Sequence, residues 1–248
     1  MAELGAWLRQ LSGALGLNLS FLYDSYEAPR FWHGLLVTIE LSAITLAASV
    51  AVGVIGAWMQ GSRATAVRWA AQGYVQLFRN TPPLVQLYFF YFGLSTLLPA
   101  THNQYGLRVP LLSGFAWASI SLTLYAASFN VEIFRSGIEA IPRATSEAAE
   151  SLGYTRGKAY RHIILPLALR ICIPALTNNL VNLVKTSTLA YAIAVPELLY
   201  VSSQIWADNG NVPEMMVTLL IIYLVLLGLL VAGLRGFERA LRRPGLGT

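Results

Sequence analysis

VTLLIIYLVLLGLLV, Val217 to Val231, is a run without a single charged residue. It lies inside an apolar stretch from about Met215 to Leu234, and a helix needs roughly 20 apolar residues to cross the hydrocarbon of a bilayer. Four further stretches read the same way on moving outward. They cover about Leu35 to Trp58, Pro83 to Leu98, Leu111 to Phe134 and Leu167 to Val195. The second is short and follows an amphipathic lead-in. The fourth is the least clean, because Asn178, Asn179, Asn182 and Lys185 fall inside it.

The whole composition agrees. Of 248 residues, 56% are hydrophobic and 12% are charged, about half the roughly 25% usual in soluble domains. So few charges could not cover a soluble protein of this size without large exposed apolar patches. An ordinary soluble enzyme, a disordered chain and a DNA-binding module are therefore excluded. The single cysteine, Cys172, excludes a disulfide framework and a cysteine-based zinc cluster.

Net charge is +5, and its distribution sets an orientation. Arg63, Arg68 and Arg79 lie between the first two spans. Arg135, Arg143, Arg156, Lys158, Arg161 and Arg170 lie between the third and fourth. Arg235, Arg239, Arg242 and Arg243 lie in the tail. These alternate regions hold 13 basic residues, against three (Arg9, Arg30, Arg108) on the other side. Cytoplasmic loops carry the basic excess, so the N-terminus is expected outside and the C-terminus inside. Leu4, Trp7, Leu8, Leu11 and Leu15 share one helical face, which fits a helix on the membrane surface or a frayed tail. Glu3 precedes the first basic residue, Arg9, so a signal peptide is not expected.

Polar groups inside a span cost several kcal/mol unless paired or hydrated. Asn178, Asn182 and Lys185 recur at i, i+4 and i+7 and share one helical face. Glu40, early in the first span, falls at a depth similar to that of Lys185. Two readings follow. Glu40, Asn182 and Lys185, with the hydroxyls of Thr186 and Ser187 just beyond, line a substrate pathway. Alternatively, Glu40 and Lys185 neutralise each other while the asparagines join helices. Glu132 and Arg135, three apart, are expected to pair. Gly53 and Gly56 are expected to permit close helix packing, and Cys172 to pack in a helix interface. The group Tyr88 to Phe92 reads as a packing or interfacial surface. His33, His102 and His162 show no metal-ligand spacing, and no serine, histidine and acid constellation is evident. Neither a metal site nor a catalytic residue is expected.

The segment from Glu139 to Pro166 is too polar for lipid and too long for a tight turn. Pro142 can open a helix in its first turn. Thr145 to Leu152 reads as helix, Gly153 as its left-handed stop, and Thr155 or Arg156 as the start of a second short helix. This is a surface hairpin, with or without a partner.

Here the chain resembles a family. EAAESLGYTRGKAYRHIILP, Glu147 to Pro166, is similar to the EAA loop of bacterial ABC-importer permeases: EAA, three residues, Gly, nine residues, then I-x-L-P. RNTPPLVQLYFFYFGL (Arg79 to Leu94), NVEIFRSGIEAIP (Asn130 to Pro142) and KTSTLAYAIAVPEL (Lys185 to Leu198) resemble segments of the polar amino-acid permeases. Asn130-Val131 and Thr186-Ser187-Thr188 depart from the commoner family residues.

The resemblance implies an all-α membrane protein of five transmembrane helices. Residues 1–248 would form one transmembrane permease domain, with 1–32 an extracytoplasmic N-terminal segment and 135–166 a cytoplasmic coupling loop. It implies a multi-pass subunit of the bacterial cytoplasmic membrane carrying a polar amino acid or an opine-like derivative. Its partners would be an ABC ATPase dimer, a second permease copy or paralogue, and an extracytoplasmic solute-binding protein. Glu147, Ala148, Ala149 and Gly153 would meet the ATPase, which would bind ATP and Mg; this chain would need no cofactor. No G-x-x-x-x-G-K-[ST] phosphate loop is present. The competing class is a stand-alone channel or secondary transporter, which often shows inverted repeats absent here.

Overall fold

The structure, a computed structural model, describes residues 7, 10, 12–14, 16–99, 101, 102, 105, 106 and 108–241. Leu4, Leu8, Leu11 and Leu15 of the expected surface helix lie outside the described residues, as do Arg242 and Arg243. The regular structure of the described chain is helical apart from one short antiparallel ladder, in which Thr101 faces Val109 and His102 faces Arg108. Helix α1 is Glu27–Gln60, α2 Thr65–Arg79, α3 Pro83–Tyr88, α4 Gly114–Glu139 and α5 Arg143–Ser151. Helix α6 is Arg156–Ala159, α7 Leu165–Thr186, α8 Leu198–Asn209 and α9 Val212–Leu241. Three segments are long and apolar enough to cross a membrane among the described residues: Glu27–Gln60, Arg156–Ile193 and Val212–Arg239.

One expectation is corrected. The second helix of the hairpin does not stop before the fourth span. It runs from Arg156 through a wide turn, Tyr160–Ile164, into α7. Pro166 explains the widening: it lacks an N–H, and its ring would clash with the carbonyl four residues back. Pro142 likewise sits at the cap of α5 rather than inside its first turn.

Two compact units divide the chain. The first comprises Met1–Ile44, Leu84–Ser121 and Val184–Gly228. Its core gathers Phe21, Phe31, Leu198, Val201, Ile205, Met215 and Leu219. Phe21 and Phe31 stack with ring centroids 5.1 Å apart. Gly34 lets α1 approach α8: a Cβ there would lie 3.1 Å from that of Val201 and 3.3 Å from the Glu197 carbonyl oxygen. After α7 the chain tightens into a 3-10 segment, Ser187–Ile193, which ends in left-handed Ala194 (φ 56°).

The second unit comprises Thr45–Pro83, Leu122–Leu183 and Leu229–Thr248. Gly53 and Gly56 bring α1 against Asn130 and Val131 of α4, as the small-residue reading expected. Gly137 of α4 faces the Cys172 sulfur and the Ala168 carbonyl of α7. Cys172 is buried in that interface and donates to the Ile133 carbonyl over 3.2 Å. The Tyr74 hydroxyl ties α2 to α4 by donating to the Leu124 carbonyl at 2.6 Å.

Candidate coupling surface and transport pathway

The hairpin is built by its own backbone. At the end of α5, the Gly153 N–H donates to the Glu150 carbonyl (2.9 Å) and the Tyr154 N–H to the Ala149 carbonyl (3.0 Å). Gly153 holds φ 83°, a left-handed conformation that glycine adopts without penalty. This pair of bonds is the Schellman motif. The Arg156 guanidinium then donates back to Glu150 at 3.2 Å. Glu147, Ala148 and Gly153 are exposed, whereas Ala149 is buried. Leu152, 78% exposed, stands beside them.

The pathway candidates divide by environment. Asn178, Asn182 and Lys185 all lie on the exposed side of α7. Glu40 is exposed on α1. Thr186 is half-buried, and Ser187 is buried with its hydroxyl donating to the Val184 carbonyl at 2.8 Å. Among the described residues no ion pair joins Glu40 to Lys185, so the structure does not form that neutralising pair. Asn179 is different. Its Nδ2 donates to Asn130 Oδ1 (2.8 Å) and to the Ala126 carbonyl (3.0 Å), while Asn130 reaches Ser49 Oγ at 3.4 Å. One helix thus has an exposed polar face and, turned roughly a quarter-circle from Asn178, an asparagine that locks it to α4.

Glu132 pairs with Arg135 at 2.9 Å, as the i, i+3 spacing expected. No local spacing points to its other neighbours: Arg79 approaches to 3.7 Å and Gln60 Nε2 donates at 3.2 Å. Arg79 also lies over the Phe129 ring, 5.2 Å from its centroid.

Sequence reasoning also missed Glu197. Glu197 is 1% exposed and caps α8. Its carboxylate accepts from the N–H groups of Leu199 (3.0 Å) and Tyr200 (2.8 Å) and from the Tyr223 hydroxyl (3.3 Å). Thr38 Oγ1 accepts from the next N–H, that of Leu198, at 2.9 Å. Burial pushes the Glu197 carboxyl above its ordinary value, and the donors from Leu199, Tyr200, Tyr223 and Thr38 oppose that rise. Glutamate is not among the side chains that favour an N-cap, so the sequence before α8 carries no strong signal for this residue. No cluster of three or more His, Cys, Asp or Glu that could hold a metal occurs among the described residues.

Long apolar helices, one with an exposed polar face, and a charged hairpin stopped by glycine define a polytopic membrane protein. Residues 41–243 match the family described as binding-protein-dependent transport system inner membrane component, and the chain belongs to that family. It is 34% identical to the probable glutamine ABC transporter permease protein GlnM of Bacillus subtilis (strain 168), over 92% of this chain and 99% of that protein. It is 30% identical to the arginine transport system permease protein ArtQ of the same organism, over 91% and 99%. The crystal structure of an amino acid ABC transporter with histidines superposes with a TM-score of 0.76 at 29% identity, covering 90% of this chain and all of that one. The chain is thus the membrane-spanning subunit of an ABC importer.

Proposed function

We propose that the chain moves a polar amino acid or a close derivative across the cytoplasmic membrane by alternating access. The observation that carries this is its likeness to glutamine and arginine permeases over nearly their whole length. Five segments would span the membrane: α1, α3 with its continuation to Leu97, α4, α7 and α9. Helix α4, with 26 residues, is about 39 Å long at 1.5 Å per residue, longer than the roughly 30 Å hydrocarbon. The distribution of basic residues supports an N-terminus outside and a hairpin inside.

In this reading a solute-binding protein delivers cargo to a pore shared with a second permease. The exposed Glu147, Ala148 and Gly153 dock an ATPase that holds ATP and Mg, and Ala149 keeps α5 packed beneath them. ATP binding biases a two-state element, and this chain transmits the bias. Asn182 and Lys185, on the exposed face of α7, and Glu40 on α1 supply hydrogen bonds and charges suited to a zwitterion. Thr186 and Ser187 bound that region, with Ser187 acting through its helix backbone rather than through cargo.

The test is reconstitution with an ABC ATPase and a solute-binding protein from the same organism. Ala148→Trp, at an exposed position, is expected to abolish ATPase co-purification and uptake while the permease stays folded. Uptake that persists without the ATPase would make the chain a stand-alone carrier and overturn the reading. Stimulation of ATP hydrolysis by binding protein loaded with glutamine, arginine, histidine or an opine identifies the cargo; stimulation by none of these overturns the amino-acid assignment.

A further inference from the structure

The second unit contains a cavity of about 320 Å³ with apolar walls, formed by Val54, Phe134, Leu165, Ala168, Leu169 and Cys172. A neighbouring cavity of about 530 Å³ is polar, lined by Gln60, Ser62, Arg63, Arg135 and Glu139. Ala57, Trp58, Ile138 and Tyr160 line both, so the two run along one shared wall. One end suits hydrocarbon and the other carries a formal excess of one positive charge.

The charges at the polar end are not equivalent. Arg135 is engaged by Glu132 and Glu139. The Arg63 side chain is exposed and enters no ion pair among the described residues. Helix α2 begins two residues later, and Ala64 at its cap offers no side-chain acceptor. The first-turn N–H groups of a helix without such an acceptor favour an anion nearby. Trp58, 75% exposed, and Tyr160 stand at the junction, as aromatic residues do where hydrocarbon meets headgroups.

We propose that this two-part cavity binds an anionic glycerophospholipid of the inner leaflet. The headgroup phosphate sits on Arg63, and one acyl chain enters the apolar part as far as Cys172. Charge complementarity selects the headgroup, and the apolar walls select the chain. Bound lipid would brace the α1–α4–α7 packing next to the hairpin.

The experiment uses the full chain, delipidated in an uncharged detergent, and native mass spectrometry with phosphatidylglycerol or phosphatidylcholine of identical acyl chains. This measurement is independent of orientation and transport. Phosphatidylglycerol is expected to bind more tightly. Arg63→Gln, at an exposed site, should weaken it about fivefold, the effect of one basic residue near an anionic surface, and leave phosphatidylcholine unchanged. Leu169→Trp, which narrows the apolar part from a partly exposed position, should weaken both. Cys172 is the only cysteine, so maleimide labelling reports the deep end directly and should slow when phosphatidylglycerol is present. Equal binding of both lipids, an Arg63→Gln variant that binds as wild type does, or displacement by inorganic phosphate alone would overturn the proposal. Protection of Cys172 in lipid-free dimers would assign the cavity to a second copy of the chain and overturn it equally.

Discussion

Replacing Glu197 by alanine tests whether one carboxylate ties the start of α8 to its surroundings. The side chain is 1% exposed, and it accepts from the N–H groups of Leu199 and Tyr200 at 3.0 and 2.8 Å. Alanine leaves both partly buried donors without their acceptor. Hydrogen bonds to a charged group contribute about 1.5 kcal/mol each at the lower end, and removal of an N-cap costs about 1 to 2 kcal/mol. A local cost of about 2 to 3 kcal/mol follows. At about 1.4 kcal/mol per factor of ten, the first turn of α8 should open roughly 30- to 150-fold more often. Amide hydrogen exchange read by mass spectrometry over residues 198–202 measures this directly, in detergent and without transport. Glu197→Gln should show a smaller rise, because it keeps one oxygen acceptor and removes a charge that burial disfavours. Gln204→Ala, at an exposed site on the same helix, is the comparison. If Glu197→Ala exchanges no faster than Gln204→Ala, the cap does not hold α8 and the reasoning fails.

Because burial raises the Glu197 carboxyl above its ordinary 4.5, the protonation-linked part of its contribution to stability is complete below that value and is lost as pH rises through the raised one. Melting curves of wild type and Glu197→Gln should therefore diverge with pH in that window; a constant difference between them would refute the burial argument. Gly153→Ala meets no atom within 4 Å, so its cost is backbone strain alone, about 1 to 2 kcal/mol. Asparagine should be tolerated better, with limited proteolysis of the hairpin as the measure and equal sensitivity of the two variants as the contrary result. Gly137→Ala should cost about 1 to 3 kcal/mol through overpacking. The added Cβ would press on the Cys172 sulfur and sit 3.0 Å from the Ala168 carbonyl. Cys172→Ala should restore only part of the loss in a thermal-shift assay, since the backbone contact remains; full restoration would show that the carbonyl can yield.

The helices were legible because hydropathy and period are local. The run from Val217 to Val231 announces α9 without knowledge of any neighbour. Gly153 announces its turn for the same reason, since a left-handed residue is a property of its own backbone, and Glu132 and Arg135 announce theirs by spacing along one helix. The continuity of α6 into α7 was not legible. Pro166 looks like a boundary in sequence, whereas the chain accommodates it with a wide turn and continues.

The membrane class, the long apolar helices, the family and the hairpin with its glycine stop are therefore determined by the sequence alone, through composition and short-range pattern. Tertiary structure decided which polar residues are spent on packing. Asn179 is committed to Asn130, and Glu197, besides capping α8, to the Tyr223 hydroxyl of α9. Asn178, Asn182 and Lys185 remain exposed, and Glu40 forms no pair with Lys185. The physical reason is that the cost of a buried polar group depends on the partners that surround it. Asn130 stands 49 residues from Asn179 along the chain, and Tyr223 stands 26 from Glu197, separations that no local pattern records.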